Sequence, residues 1–183
     1  MDIWLTSDTH FDHINIMKYE PSRSERFKDN IEMTEKLIEN WNKEVKTNDL
    51  IFHLGDVFFC KADRMKEISD RLNGRKILIR GNHDKGYSNT KFRNLGFEVY
   101  NYYFIDDFVL SHYPQNEAAL KVAIDKGLLR GNIHGHVHSQ IEGLDQSIYK
   151  CVSVELTDFK PITLFDVKKE FIIRRIASKY YKS

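Results

Sequence analysis

An α/β fold is predicted for this chain by three observations. Apolar runs alternate with amphipathic segments from the first residues onward. The stretch Asp29 to Lys46 carries Leu37, Trp41 and Val45 at four-residue spacing, with Ile31, Thr34 and Ile38 beside them on one helical face. Three successive strand-like runs finish on polar residues able to bind a ligand, as expected at the carboxyl ends of strands in an open α/β sheet.

The elements follow in order. Ile3 to Ser7 reads as a buried strand delivering Asp8 and His10 just past its end. The connection Phe11 to Lys28 is far longer than the usual ~4 to 6 residues. It reads either as a substrate-facing loop or as a short helix over Ile14 to Lys18 followed by a solvated turn. Asp29 is placed to cap the helix that ends near Lys46, and Glu32 sits where a capping-box partner belongs. Leu50 to Leu54 is a strand ending at Gly55-Asp56. A helix from Ala62 to Leu72 stops at Asn73-Gly74, and the strand Lys76 to Arg80 runs into Gly81-Asn82-His83-Asp84.

The second half is richer in strand signals. Phe97 to Ile105 and Phe108 to Ser111 read as a pair joined through Asp106-Asp107, with His112 at the exit. A helix spans Asn116 to Lys126 and is ended by Gly127. Leu128 to Ile133 leads to a histidine-rich turn, and Ser147 to Glu155 supplies a further strand. The segment from Pro161 carries Leu164, Val167, Phe171 and Ile172 at helical spacing, although the pair Ile172-Ile173 is β-branched.

With 183 residues, 41% hydrophobic, 30% charged and a formal net charge of +1, the chain reads as a single domain, residues 1–183, rather than a surface built to grip nucleic acid. Cys60 and Cys151 are too few for a disulfide framework, and both read as buried thiols in a reducing compartment. Met1 to Leu5 carries no basic region or long apolar stretch, so the sequence reads as cytoplasmic, with no membrane span.

The chemistry lies in five short islands: Asp8-Thr9-His10, Gly55-Asp56, Gly81-Asn82-His83-Asp84, Ser111-His112 and Gly135-His136-Val137-His138. Imidazole, carboxylate and amide donors without thiolate suit a hydrolytic site for two divalent ions. Asp8 and His10, two apart in an extended segment, would project to one face, and Gly135 would let the turn bring His136 and His138 together. The element Gly81-Asn82-His83-Asp84 is the most specific single signal, with Asn82 an unusual ligand type beside a histidine and an aspartate.

On these islands, spanning Asp8 to His138, the chain resembles the calcineurin-like metallophosphoesterases. The resemblance implies a four-layer α/β/β/α sandwich with two central mixed sheets flanked by helices. It implies one metal held by Asp8, His10, Asp56 and His138 and another by Asp56, Asn82, His112 and His136, with Asp56 bridging. The protein-phosphatase pattern Gly-Asp-x-x-Asp-Arg-Gly is absent, since Gly55-Asp56 is followed by Val57-Phe58-Phe59-Cys60-Lys61. The capping domain usual in the nuclease branch is not expected here, with the sequence read as one domain to Ser183. The opening Asp8-Thr9-His10-Phe11-x-His13-x-Asn15-Ile16 is similar to that of small bacterial and phage members.

The expected reaction is hydrolysis of phosphodiesters, or phosphomonoesters, of small molecules or nucleotides, by in-line attack of a metal-bridged hydroxide. His83 is the candidate general acid, and Asp84 is expected to orient its ring or raise its pKa. The alternatives are a nucleic-acid end-processing nuclease and a non-catalytic phosphate- or nucleotide-binding scaffold. Manganese is the favoured ion, with Fe, Zn, Ni and Co as alternatives.

Several side chains carry two readings. His13 reads as a substrate-binding contact, or as a locally bonded side chain in the long loop. Arg23 and Arg26 are candidate clamps for phosphate oxygens, or surface charges. His53 reads as a core histidine and His134 as a partner of a ligand. Tyr100, Tyr102, Tyr103 and Phe104 could stack a base, or pack between layers. The expected partner is a phosphate-ester small molecule or nucleotide, with nucleic acid disfavoured by the charge, and the chain is expected to act as a monomer or homodimer.

Overall fold

A computed structural model describes residues 1–180. Its first sheet holds β1 (Ile3–Thr6), β2 (Leu50–His53), β3 (Arg75–Ile79), β4 (Phe97–Tyr100) and β9 (Ile162–Thr163) in the order β4-β3-β2-β1-β9. Neighbours from β1 to β4 are parallel, and β9 closes the edge antiparallel to β1. The second sheet runs β5-β6-β7-β8, from Tyr102–Ile105, Phe108–Ser111, Gly131–His134 and Tyr149–Cys151. Its β5 and β6 form an antiparallel hairpin, while β6, β7 and β8 are parallel.

Between the sheets, Leu5, Phe52, Leu54, Ile77 and Ile79 meet Phe108, Leu110, Ile133 and Val152 in one buried cluster. The apolar runs Leu50, Ile51 and Phe52 in β2 and Ile77, Leu78 and Ile79 in β3 follow from this, because both faces of a mostly parallel sheet are covered. The outer face of the first sheet packs against α3 (Asn30–Glu44), α4 (Ala62–Arg71) and α5 (Asn89–Asn94) through Met33, Leu37, Trp41, Met65, Ile68 and Phe92. On the far side, α6 (Glu117–Asp125) lays Leu120 against Val109 and Tyr149. The result is the layered sandwich expected, helices outside two mixed sheets. The C-terminal α7 (Leu164–Tyr180) inserts Leu164, Val167 and Phe171 into the inter-sheet core.

Local differences from the sequence reading have physical causes. The run Phe97 to Ile105 divides at Asn101, and its halves serve different sheets. That crossing was invisible to a pattern that alternates on both sides of it. The strand read over Ser147 to Glu155 shortens to β8, after which Val154–Leu156 turns as a 3-10 helix. The long loop folds as α1 (Ile16–Tyr19) and α2 (Pro21–Arg26), with Pro21 at the first helical position, where its missing N–H leaves nothing unpaired. Asp29 caps α3 by accepting from the Glu32 N–H, but the Glu32 carboxylate reaches one residue further back, to the Lys28 N–H. Ile31, placed on the buried face by spacing, is exposed, and Met33 takes its place. Cys60 and Cys151 are free thiols, the latter buried. Among the described residues no helix is long and apolar enough to cross a membrane.

Candidate metal centre

All five islands lie at the carboxyl ends of strands or just beyond, and the two sheets bring them together. β1 ends at Thr6 and leads to Asp8 and His10; β2 leads to Asp56, β3 to Asn82, β6 to His112 and β7 to His136 and His138. Their donor atoms form two groups, Asp8 with His10 and His138, and Asp56 with His112 and His136; within each, the donors lie within 4.8 Å of one another. The Asp56 carboxylate sits between the groups, its Oδ2 3.7 Å from His10 Nε2 and 3.5 Å from His112 Nε2. Asn82 Oδ1 lies 2.8 Å from His112 Nε2, joining the second group.

Convergence arises differently from the extended geometry expected of Asp8 and His10. Both have left-handed backbones, φ 57° and 47°, as do Asp56, His136 and His138 at 58°, 70° and 50°. Such conformations are uncommon outside glycine and persist where surrounding structure enforces them. Here the enforcement is explicit: Asp8 N–H donates to the Gly55 carbonyl at 3.0 Å and His10 N–H to that of Asp56 at 3.1 Å. Two glycines then permit close approach. A Cβ on Gly135 would collide with Ser7 Oγ and Asp8 Oδ2, and one on Gly81 with the Asp56 carboxylate.

The donor set fits cations. His112 Nδ1 lies 2.7 Å from the Leu54 carbonyl, which only accepts, so Nδ1 carries the hydrogen and Nε2 turns a lone pair toward Asn82 Oδ1 and Asp56 Oδ2. His138 repeats this arrangement, its Nδ1 donating to Glu155 Oε1 at 2.9 Å and its Nε2 facing Asp8 Oδ1 at 3.9 Å. Asp8 Oδ1 and His10 Nε2 are buried with no hydrogen-bond partner. Electron pairs facing one another in a buried space call for positive charge between them, which divalent ions held by the two groups would supply.

The charges of the protein alone show the same tension. Burial, the Asp8 charge and the Asp84 charge push the Asp56 carboxyl up to about 6, against the pull of His112. Burial acts to raise Asp8 too, but His138, His112, His10 and the Ser153 hydroxyl outweigh it and hold it below the usual carboxylate range. Burial drives His10 well below its ordinary value. For His138, burial is outweighed by the Glu155 hydrogen bond and the Asp8 charge, and its pKa rises.

His83 stands at the rim, its side chain 42% exposed and its Nε2 3.9 Å from Asp56 Oδ2. Asp84 corrects an expectation. Its Oδ2 accepts from the N–H groups of Asp56 and Gly81, both at 2.8 Å, and its Oδ1 from Val57 N–H at 3.2 Å. The carboxylate therefore ties the loops after β2 and β3 together instead of orienting the His83 ring. Arg23 is a second correction: it is fully buried, and its guanidinium is spent on Glu155 and on the Asp8 and Thr9 carbonyls, so it offers no clamp to a phosphate. Arg26 pairs with Asp158 at 2.5 Å in a surface recess shared with Lys43 and Lys160, where its guanidinium also covers Phe159.

His13 belongs to the site, its Nδ1 3.2 Å from His10 Nδ1 and its ring stacked on Phe59. His53 is a satisfied core histidine, bonded to the Thr9 hydroxyl at 2.9 Å and to the Gly55 N–H at 3.2 Å. His134 is buried with Nδ1 2.8 Å from the Gly135 carbonyl. Tyr103 packs on Phe52 between the layers, while Tyr102 and Phe104 face outward. Sequence reasoning missed Glu155, Ser153 and Phe59. A lone acid inside the apolar run Cys151 to Leu156 was the signal available for Glu155.

This fold and this site define a metal-dependent phosphoesterase. Residues 1–150 match the model of the calcineurin-like phosphoesterases, and the chain belongs to that family. It is similar, at 37% identity over 88% of its length and 86% of the relative's, to the uncharacterized protein MJ1445 of Methanocaldococcus jannaschii. The crystal structure of AQ665 from Aquifex aeolicus, a protein of unknown function, superposes with a TM-score of 0.72 at 31% identity, over 92% of this chain and 98% of that one. The nuclease MPE of Pseudomonas putida gives a TM-score of 0.48 at 20% identity, over 74% of this chain and 61% of that one.

Proposed function

We propose that the chain hydrolyses phosphodiesters of small molecules or nucleotides, with His83 as general acid. The observation that carries this is the Asp56 carboxylate set between two donor groups, with electron pairs of both turned toward the same buried space. A pair of divalent ions, manganese favoured, supplies an activated water and neutralises charge on the phosphoryl oxygens when bound.

The protein's own contribution is placement. His83 stands half exposed beside Asp56, where its imidazole reaches the leaving oxygen and donates a proton. Its backbone N–H holds Asp56 Oδ1 at 2.9 Å, so the acid and the bridging carboxylate keep a fixed relation. His13 pairs with His10 Nδ1, which leaves His10 Nε2 directed inward. The chain acts in this reading as one domain over residues 1–183. Hydrolysis of bis(p-nitrophenyl) phosphate that requires manganese and disappears in Asp56→Ala is the expected result; no hydrolysis with any divalent ion contradicts it.

A further inference from the structure

Two exposed aromatic rings stand at the rim of the metal centre, one beside a histidine of each donor group. Phe59 is 43% exposed and Tyr113 41%, although their neighbours Phe58 and His112 are buried. Scattered exposed apolar residues are ordinary on any surface. These two differ in what holds them. The Phe59 ring lies flat on the buried His13 ring, with centroids 3.8 Å apart and planes at 12°, and meets the edge of His83 at 5.2 Å. Tyr113 is 4.3 Å from the His136 ring and 5.0 Å from that of His112.

The backing by His13 gives Phe59 one covered face and one free face. His13 is itself fixed through its Nδ1 contact with His10, so the pad is rigid and anchored to the ligand shell. His83 stands at the edge of the same pad. The group that receives the proton from His83 thus emerges beside Phe59, whereas Tyr113 borders the side of His112 and His136.

We propose that the free face of Phe59 is the seat of a nucleobase, carried on the leaving-group half of the phosphoester. This rests on the phosphodiesterase reading above and adds to it the class of leaving group. Stacking fits the pad because a base offers a flat π face whatever its hydrogen-bonding edge, and an aromatic platform accepts it without a set of polar contacts. Phe59 is then a specificity-determining residue, and His13 positions it. The shared chemistry, a base next to a phosphate, occurs in a free nucleotide and at the end of a nucleic-acid strand.

Binding of adenosine 5′-monophosphate and of ribose 5-phosphate to the manganese-loaded protein tests the proposal, because the two differ only by the base. The wild type is expected to bind the nucleotide at least about five-fold more tightly, and Phe59→Leu to lose most of that margin while keeping its affinity for ribose 5-phosphate. In Phe59→Trp, the indole is expected to be quenched saturably by the nucleotide and not by the sugar phosphate. Trp4 and Trp41 are buried and provide a constant background. Equal affinities in the wild type, or a margin unchanged in Phe59→Leu, overturns the proposal. Wild-type hydrolysis of bis(p-nitrophenyl) phosphate is measured alongside: if it persists while the base confers no margin, the nucleobase seat fails alone, and if it is absent, the phosphodiesterase reading fails. A 5′-phosphorylated hexadeoxynucleotide separates the sources; binding tighter than the mononucleotide assigns the base to a strand end, and equal or weaker binding to a free nucleotide, both with the seat intact.

Discussion

The Arg23 guanidinium meets the Glu155 carboxylate with Nε 2.6 Å from Oε1, both side chains essentially without solvent. The same Oε1 accepts from His138 Nδ1, and the same guanidinium donates to the Asp8 carbonyl at 2.5 Å. One buried pair therefore steadies two members of one candidate metal group, an imidazole through its tautomer and an aspartate through its backbone. Glu155→Ala leaves Arg23 buried without its counter-charge, and a loss of about 3 to 5 kcal/mol of stability is expected in urea unfolding of the metal-free protein. Glu155→Gln should fold better yet bind metal about 10- to 100-fold more weakly, read by calorimetric titration.

Close approach at Gly135 gives a second prediction. Gly135→Ala places a methyl group against Ser7 and Asp8, so Asp8 must move away from its group. The variant is expected to keep its secondary structure by circular dichroism while losing metal from the group of Asp8, His10 and His138. Full occupancy of both groups in this variant would show that the packing tolerates a shift.

Acid sensitivity follows from His53. Burial holds its pKa down to about 3 against an ordinary 6.5, with Asp8 opposing and His112 adding to the effect. Below 6.5 the unfolded chain takes up a proton that the folded state refuses. Stability is therefore fully present above that pH and falls as the pH drops toward 3, with a slope approaching about 1.4 kcal/mol per pH unit for this group. His13 and His134, each lowered to about 4 mainly by burial, contribute with the same sign. His53→Gln should flatten the profile in urea titrations between pH 4 and 7, and an unaltered slope would exclude His53 as a source.

A proton-donor role for His83 predicts selective damage. His83→Ala should retain metal, because the donor groups do not include it, and lose turnover most with alkyl leaving groups. Comparison of p-nitrophenyl and methyl esters measures the difference. Near-wild-type rates on the alkyl ester would contradict the assignment.

The strand-end motifs were legible because apolar runs and terminal polar residues encode them locally, whereas the layer order followed from the family resemblance those motifs carry. Legibility failed where tertiary contact decides the role. Asp84 adjoins His83 in sequence, yet its carboxylate answers the backbone of Asp56, Val57 and Gly81. Arg23 sits in a polar loop that reads as solvent-facing, but α2 folds it inward onto Glu155, 132 residues away. No local pattern reports such a partner. The left-handed turns at Asp8 and His10 were equally hidden, since neither residue type demands them.

Metal stoichiometry tests the central claim most directly. The protein is stripped with chelator, reloaded with manganese, desalted and analysed for bound metal per chain, alongside Asp56→Ala. About two ions per chain are expected in the wild type, and one or fewer in the variant, because the Asp56 carboxylate stands between the two donor groups, near His10 of one and beside His112 of the other. Saturation of the wild type at one ion, or two ions retained by Asp56→Ala, would contradict a centre built around a bridging Asp56.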